Sequence, residues 1–434
     1  MDEIKKPLTG IRVLDIACFI AAPHAASIMG EFGADVIKVE HPNGGDPWRR
    51  YGTQTELPDQ SLAWLNEARN KKSITLNLSK PKGTELFKEM IKKTDVVCEN
   101  FRPGTLEKWG LGWEVLSKIN PGLILLRVSG YGQTGPYKNR PGFARIAHAY
   151  GGLTYLSGMP GEIPVTPGST SLGDYMTGMN GCIGIMMALR YRETTGLGQV
   201  VDCALYESVF RALDEIAPRY ARDGFVREPE GTGTLNACPH GHFPSGDGKF
   251  VAIACTTDKM FERLGNAMQR PDLVQKYGNQ KDRLKNRETV LAEVEKWTRS
   301  MPRDDVIDIC TENGVPAGAV NSIADIFADP HFSERKTMKN VKVEKVGEVT
   351  VPNVFPTLSV SPGEIKTLGP SLGQNNPIFY ENEMGLSEEE IHELKVNGVI
   401  STSATHLLFS SFTALSKTKA PTAVVPLVEY AASQ

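Results

Sequence analysis

Through the first third of the chain, short apolar runs alternate with segments whose apolar positions recur every three or four residues. Ile11-Arg12-Val13-Leu14-Asp15 predicts a short buried strand, and Val36-Ile37-Lys38-Val39-Glu40 predicts another. Between them, Pro23 to Phe32 predicts a small-residue helix that stops at Gly33. The pattern repeats with Ser73 to Leu78 as strand, Gly83 to Lys93 as amphipathic helix, and Asp95 to Cys98 and Leu123 to Val128 as further strands. Such alternation with short polar joints predicts an α/β fold, a doubly wound parallel sheet covered by helices on both faces. Ligands are then expected at the carboxyl ends of the strands, where the connecting loops meet.

The middle of the chain changes character. Gly151 to Thr170 is rich in Gly, Pro, Ser and Thr and reads as loop, followed by a long apolar helix from Thr177 to Tyr191. A second helix is expected around Tyr206 to Tyr220, closing a first region over residues 1–222. Residues 223–235 are charged and glycine-rich, as a linker would be, and 236–335 read as a smaller α/β domain with a strand at Lys249 to Ala254. Within 336–400, Val343 to Val360 resembles strands with prolines at their margins. Ser387, three residues before Glu390, opens a short final helix with a capping box. Residues 401–434 sustain no period of 2 or 3.6 and read as a flexible tail without assigned function.

Composition narrows the function classes. The 434 residues carry 48 Lys+Arg against 51 Asp+Glu, a formal charge of −3, with no basic run, so nucleic acid is not the expected partner. No window approaches 18 consecutive apolar residues, which argues against a membrane-spanning helix, and the acidic start lacks a secretion signal. Seven scattered cysteines form no CxxC pair and no disulfide framework, which points to a reducing cytoplasm.

Conventional chemistry motifs are missing: there is no GxGxxG after the first strand, no GxxxxGK[ST], no GxSxG and no HExxH. Cys238, His240 and His242 lie too close together and lack a fourth ligand, so a loop is the better reading there than a metal site. Asp174 is more distinctive. It lies between Gly173 and Gly178 just before an apolar helix, where an acid commonly serves as a cap. A carboxylate at that place also lies beside free backbone N–H groups able to stabilise developing negative charge. Two loops directly follow strands: Glu99-Asn100-Phe101-Arg102-Pro103-Gly104, with Lys108 beyond it, and Ser129-Gly130-Tyr131-Gly132-Gln133. Each alone is explained by turn chemistry.

Taken in order, these segments resemble the class III CoA-transferases, the family of formyl-CoA, carnitine and bile-acid CoA-transferases. The resemblance is carried by LTGIRVLDIACFIAAPHAASIMGEFGADVIKVEHPNGGDPWRR, NKKSITLNL, DVVCENFRPGTLEKWGLG, VSGYGQTGP, LGDYMTGMNG, TGLGQVVDC and NGVPAGAVNS. It implies a large CoA-binding domain completed by the returning segment 336–400, a small domain, and an interlocked homodimer. It implies no resident cofactor and no metal; a coenzyme A thioester enters as substrate together with a carboxylic acid. Asp174 matches the family nucleophile, which attacks the thioester to give an aspartyl anhydride and later an aspartyl-CoA thioester.

The resemblance also assigns CoA contacts. His41 and Lys108 stand where formyl-CoA transferase has arginines near the nucleotide. Asn100, Phe101 and Arg102 match the loop beside the adenine, and Leu76, Asn77, Leu78 and Ser79 the strand end that lines it. Ile20 and Ala21 match the pair near the thioester, with Ile20 in place of a glutamine, which argues against oxalate as acceptor. Arg140, Arg145 and His148 follow the SGYGQ loop. Arg140 is counted with the CoA contacts, and all three would suit the second carboxylate of a succinyl donor or a dicarboxylic acceptor; surface-charge roles fit them equally. The alternatives on the same fold are a racemase or an intramolecular CoA transferase. The racemases carry a His-Asp pair where this chain has Phe143 and Ala144, which cannot move protons.

Overall fold

The computed structural model of the chain describes residues 5–401. The tail expected over 401–434 therefore lies, past Ser401, outside the described residues. In chain order the elements are β1 (Arg12–Asp15), α1 (Ala21–Glu31), β2 (Asp35–Glu40), α2 (Leu62–Glu67), β3 (Lys71–Thr75), α3 (Pro81–Ile91), β4 (Val96–Glu99), α4 (Thr105–Lys108), α5 (Trp113–Ile119), β5 (Ile124–Ser129), α6 (Ala144–Tyr150), α7 (Leu153–Leu156), α8 (Leu172–Thr195), β6 (Val200–Ala204), α9 (Leu205–Phe210) and α10 (Ile216–Asp223).

Six of the strands form one parallel sheet in the order β3-β2-β1-β4-β5-β6. The order reverses between β1 and β4, so the loops leaving these two strands diverge and open a crevice. Both sheet faces are buried. Leu14, Ile37, Val97 and Leu125 pack with Leu86, Phe87, Met90 and Ile91 of α3 and Leu116 of α5. Leu126, one residue along, turns to the opposite face and meets α8, where a Cβ at Gly181 would stand 3.0 Å from it. Two covered faces explain why β4 and β5 read as near-continuous apolar stretches rather than alternating ones.

Several elements differ from the sequence reading. The long helix begins at Leu172 and runs to Thr195, five residues earlier and four later than its apolar pattern indicated. The single helix expected over 206–220 is two, α9 and α10, broken where Asp214 takes a left-handed φ of 43°. Strand β6 was unassigned because half-exposure and Asp202 blur its apolar character. His240–Pro244 is a strand, not a loop.

By internal contacts the chain divides into two units. One comprises residues up to Gly151, Ser169–Ala212 and Lys336 onward; the other comprises Gly152–Gly168 and Leu213–Arg335. Residues 152–168 and 213–222, which the sequence reading places with the first region, thus fall in the second unit. The second unit has a three-stranded antiparallel sheet of His240–Pro244, Phe250–Ala254 and Ala317–Ala319. Helices between Asp258 and Glu312 surround a core that includes Phe261, Leu264, Val290, Val294 and Val306.

In the first unit, the returning segment covers the exposed edge of β3. The Ser73 and Thr75 amides donate to the side-chain carbonyls of Asn375 and Asn376 at 3.0 and 2.8 Å, and Tyr380 Oη donates to Thr75 O at 2.7 Å. Side chains thereby satisfy backbone groups that would otherwise invite another strand. The strands expected over Val343 to Val360 are a hairpin, Met338–Val343 with Gly347–Pro352; beyond Pro352 the chain leaves the sheet. Ser387 and Glu390 form the expected capping box. Among the described residues, no helix is long and apolar enough to cross a membrane.

Candidate active site

The loop after β1 enters the crevice under unusual restraint. Asn100, just past β4, grips both backbone groups of Cys18: its Oδ1 accepts the Cys18 amide at 2.8 Å and its Nδ2 donates to Cys18 O at 2.7 Å. Phe19 is held at a left-handed φ of 63° while its amide donates to Asp46 Oδ1 at 3.0 Å. Such a backbone costs a bulky residue about 1–3 kcal/mol and persists only where its surroundings enforce it. Its effect is to turn the chain so that α1 starts at the crevice, with Ile20 and Ala21 in the wall. Phe19 then meets Trp48 and Phe143 edge-on at 6.5 and 5.9 Å, and Trp48 stacks on Tyr51 at 4.3 Å.

Beneath this loop lies a buried ionic cluster. Asp15 pairs with Lys71 at 2.8 Å and Lys38 at 3.4 Å, and Lys38 also pairs with Asp46 at 2.9 Å and donates to Ala17 O. Burial pushes the Asp15 carboxyl up, but the two lysines outweigh it and hold the group below its ordinary value. Glu40 takes Arg49 in a fork of 2.6 and 2.7 Å and accepts Ser73 Oγ at 2.6 Å. A similar support fixes the loop after β4. Arg127 pairs with Glu99 and Glu107, each at 2.7 Å, while Glu99 accepts the Phe101 amide at 2.7 Å. Burial nevertheless pushes the Glu99 carboxyl up to about 7.

Asp174 sits in the first turn of α8, and the glycines around it have packing reasons. A Cβ at Gly173 would lie 3.1 Å from the His148 ring, and one at Gly178 would lie 2.6 Å from Ala21 O of α1. The first-turn amides are not free, contrary to the sequence expectation. Gly173 N–H donates to His148 Nε2 at 2.8 Å, and the Asp174 and Tyr175 amides both reach Ser171 O. The carboxyl itself has no hydrogen bond or ion pair among the described residues, and burial alone pushes it up to about 7. Its neighbour Tyr175 donates to Glu67 Oε1 at 2.9 Å, and His24 Nδ1 lies 3.3 Å from Glu67 Oε2. This clamp ties α8 to α1 and α2 on the side away from His148.

These walls enclose a cavity of about 730 Å³, within the range of small-molecule sites. Of the predicted residues, Asp174, Ile20, Ala21, Asn100, Phe101, Arg102 and Arg140 line it. A smaller space of about 80 Å³ adjoins it and shares Cys18 and Phe101. His41, Leu76, Asn77, Leu78 and Ser79 line this second space, where Trp109 meets Phe101 edge-on at 5.2 Å. Leu76 and Leu78 are core side chains, so this strand end contributes its polar groups from Asn77 and Ser79, beside Glu40, His41 and Asp46. Lys108 is exposed at the end of α4, next to Trp109. His148 is buried and already accepts Gly173 N–H, so it does not offer the cation considered for a substrate carboxylate. Burial, then the charge of Arg145, lowers its pKa and keeps it neutral.

Sequence reasoning missed Glu67, Tyr175 and Arg127, and gave Glu99 no role beyond the loop it opens. Only Glu99, a charged residue closing an apolar strand, left a local signal. Among the described residues, no group of three or more His, Cys, Asp or Glu is placed to hold a metal. The larger cavity holds the unpaired Asp174 carboxyl and adjoins a smaller space, an arrangement able to hold an acyl group beside a carboxylate.

Comparison with known proteins agrees in kind. Residues 8–376 match the sequence model of CoA-transferase family III. The chain is 55% identical over 396 residues to the succinyl-CoA–L-malate CoA-transferase alpha subunit of Chloroflexus aurantiacus, covering 91% of this chain and 92% of that one. It is 56% identical over 398 residues to the corresponding beta subunit, covering 91% and 98%. Among solved structures, a CAIB/BAIF family protein from Brucella suis superposes with a TM-score of 0.77 at 31% identity, over 86% of this chain and 98% of that one.

Proposed function

The chain belongs to CoA-transferase family III, and from that premise we propose that it carries CoA from succinyl-CoA to a hydroxylated dicarboxylic acid of the malate type. The observation that carries the mechanism is the unpaired Asp174 carboxyl opening into the larger cavity. An Asp174 oxygen attacks the thioester carbonyl, the C–S bond breaks, and CoA thiolate leaves behind a mixed aspartyl–succinyl anhydride. The thiolate then attacks the aspartyl carbonyl, releasing succinate and leaving an aspartyl-CoA thioester. The acceptor carboxylate displaces the thiolate from that thioester, and the thiolate finally takes the acceptor acyl group from the second anhydride, restoring Asp174. Each step exchanges one activated acyl group for another, so no external energy source is needed. The N-terminus of α1 at Ala21 favours the oxyanion that develops at each attack.

In this proposal His41, Leu76, Asn77, Leu78, Ser79, Asn100, Phe101, Arg102 and Lys108 hold the nucleotide half of CoA, and Ile20 and Ala21 flank the thioester. The enzyme holds no resident cofactor, and its seven free thiols suit a reducing cytoplasm. The test is an exchange assay with succinyl-CoA and a panel of acids. Malate and related dicarboxylates should accept CoA, and matched monocarboxylates should accept it at least about 100-fold more slowly. Transfer to monocarboxylates alone would overturn the substrate assignment.

We further propose an interlocked homodimer. Met179, Ile183, Met186, Met187 and Tyr191 project from α8 at helical spacing, and all five are exposed. The same helix carries Asp174, so covering this stripe with a second copy would steady the nucleophile. Near-equal identity to both named subunits of the malate enzyme, 55% and 56%, fits a chain that pairs with itself. Met187→Glu should raise the dimer dissociation constant by roughly 30-fold or more in sedimentation equilibrium. An unchanged constant would remove α8 from the interface.

A further inference from the structure

Three guanidinium groups reach the larger cavity, from Arg50, Arg102 and Arg140, and they differ in what already holds them. Arg50 donates to Gly44 O at 2.6 Å and pairs with Asp59 at 3.5 Å. Arg102 belongs to the loop after β4, whose Phe101 borders both cavities, the region proposed for the nucleotide. Arg140 is on neither, and among the described residues no carboxylate pairs with it. Its guanidinium carbon stands over the Tyr137 ring, 3.5 Å from the centroid.

Other rings and the loop's own base brace this platform. Tyr137 meets Tyr131 and Tyr150 edge-on at 6.2 and 6.3 Å, and Tyr150 meets Tyr206 at 5.1 Å. The loop that carries Arg140 is closed at its base by Gly130 against Gly142, where a Cβ on Gly130 would stand 2.9 Å from the Gly142 Cα. The Gln133 amide anchors the loop to the Asp202 carboxylate at 3.0 Å. Stacking occupies the face of a guanidinium and leaves its N–H edges available, the geometry that takes a carboxylate in a two-bond fork. The wall nearest in sequence, Pro141 to Phe143, is apolar and supplies no competing cation.

We propose that Arg140 binds the distal carboxylate of the dicarboxylic acyl group and so selects diacids over monoacids, rather than contacting CoA. The inference rests on the succinyl-CoA assignment above. In it, Asp174 reacts at one end of the four-carbon chain while Arg140 fixes the other, and Ile20 and Phe143 accept the methylenes between them.

The test compares two exchange reactions in the full-length enzyme: labelled succinate into succinyl-CoA, and labelled butyrate into butyryl-CoA, which carries a methyl in place of the distal carboxylate. Wild type should favour succinyl-CoA by about 100-fold or more in kcat/KM. Arg140→Gln should lower the succinyl value by about 100-fold and the butyryl value by less than about 3-fold, while Arg140→Lys, keeping charge without the fork, should recover part of the loss. Equal losses for both donors would place Arg140 on CoA and overturn the proposal, as would a preference that survives in Arg140→Gln. If wild type shows no preference, the succinyl-CoA assignment itself fails. Butyryl exchange also reports folding, because a misfolded variant would lose both reactions along with its thermal transition.

Discussion

Asp174→Asn is expected to abolish CoA transfer, lowering succinate–succinyl-CoA exchange by at least roughly 10⁴-fold, because the amide keeps the shape of the side chain but cannot form an anhydride. In the wild type, borohydride quenching during turnover should reduce the activated aspartyl group and shift the mass of the peptide containing residue 174; the variant should show no shift. Exchange above about 1% of wild type in the variant would mean that the nucleophile lies elsewhere. The pH dependence follows from the same group. Burial raises its pKa to about 7, and only the ionised form attacks. The kcat/KM for succinyl-CoA should therefore climb about tenfold per pH unit below 7 and level off above it. A flat profile from pH 5 to 9 would show a carboxylate ionised throughout. The linkage sign gives an internal control. A carboxyl whose folded pKa is raised costs the native state stability once it ionises, between its ordinary value near 3.8 and about 7. The asparagine variant should thus melt no lower than wild type above pH 7, which separates lost chemistry from lost structure.

The parallel sheet was readable because β1, β2, β4 and β5 carry short apolar stretches, a consequence of being buried on two faces, while β3 was read from Ile74, Leu76 and Leu78 at its end. The sixth lacked that property, being half-exposed at the sheet edge, and its sequence carried little strand signal. Asp174 was legible for a similarly local reason: tight packing of α8 on His148 and α1 demands glycines on both sides of it, and glycines are visible in a sequence. What surrounds Asp174 was not legible. His148 comes from α6, Glu67 from α2 and His24 from α1, and nothing in their spacing reports that folding brings them together around one turn.

The same limit explains why three basic residues could not be told apart. Arg140, Arg145 and His148 look equivalent as three cationic or titratable positions downstream of one loop. The fold separates them: Arg140 reaches the cavity, while His148 is buried and its acceptor nitrogen is spent on a backbone amide. Lys38 and Lys71 present the converse case. Both sit within strands, where a lysine ordinarily marks a solvent-facing position, yet both are buried beside the loop that shapes the site. A buried lysine is tolerated only with a partner, and its partner Asp15 lies on the neighbouring strand β1 for one and two strands away for the other.

That dependence makes Asp15→Ala the expected large stability loss in this molecule, about 3–5 kcal/mol. Among the described residues, removing the carboxylate leaves Lys71 with the carbonyl of Pro23, at 2.7 Å, and leaves Lys38 dependent on Asp46 and Ala17 O. Neither ammonium can reach water, since both side chains are about 1% exposed. The desolvation already suffered by these charges is then uncompensated, and this penalty exceeds the net worth of the pair itself. The comparison is Lys72→Ala, which breaks an ion pair of similar length, 2.7 Å to Asp35, where the lysine is 47% exposed. Water replaces that partner, so the loss should stay below about 1 kcal/mol. Urea unfolding of both variants at pH 7.5 measures the difference. Because the native state holds the Asp15 carboxyl below its ordinary value, its contribution is present above pH 4 and fades as the solution is acidified further. Losses of similar size in the two variants would mean that the cluster is hydrated and does not brace the loop. A selective loss with Asp15→Ala would locate the support of the Phe19–Ala21 turn in a charge cluster whose Asp15 lies four residues before Phe19 and which is wholly enclosed in the fold.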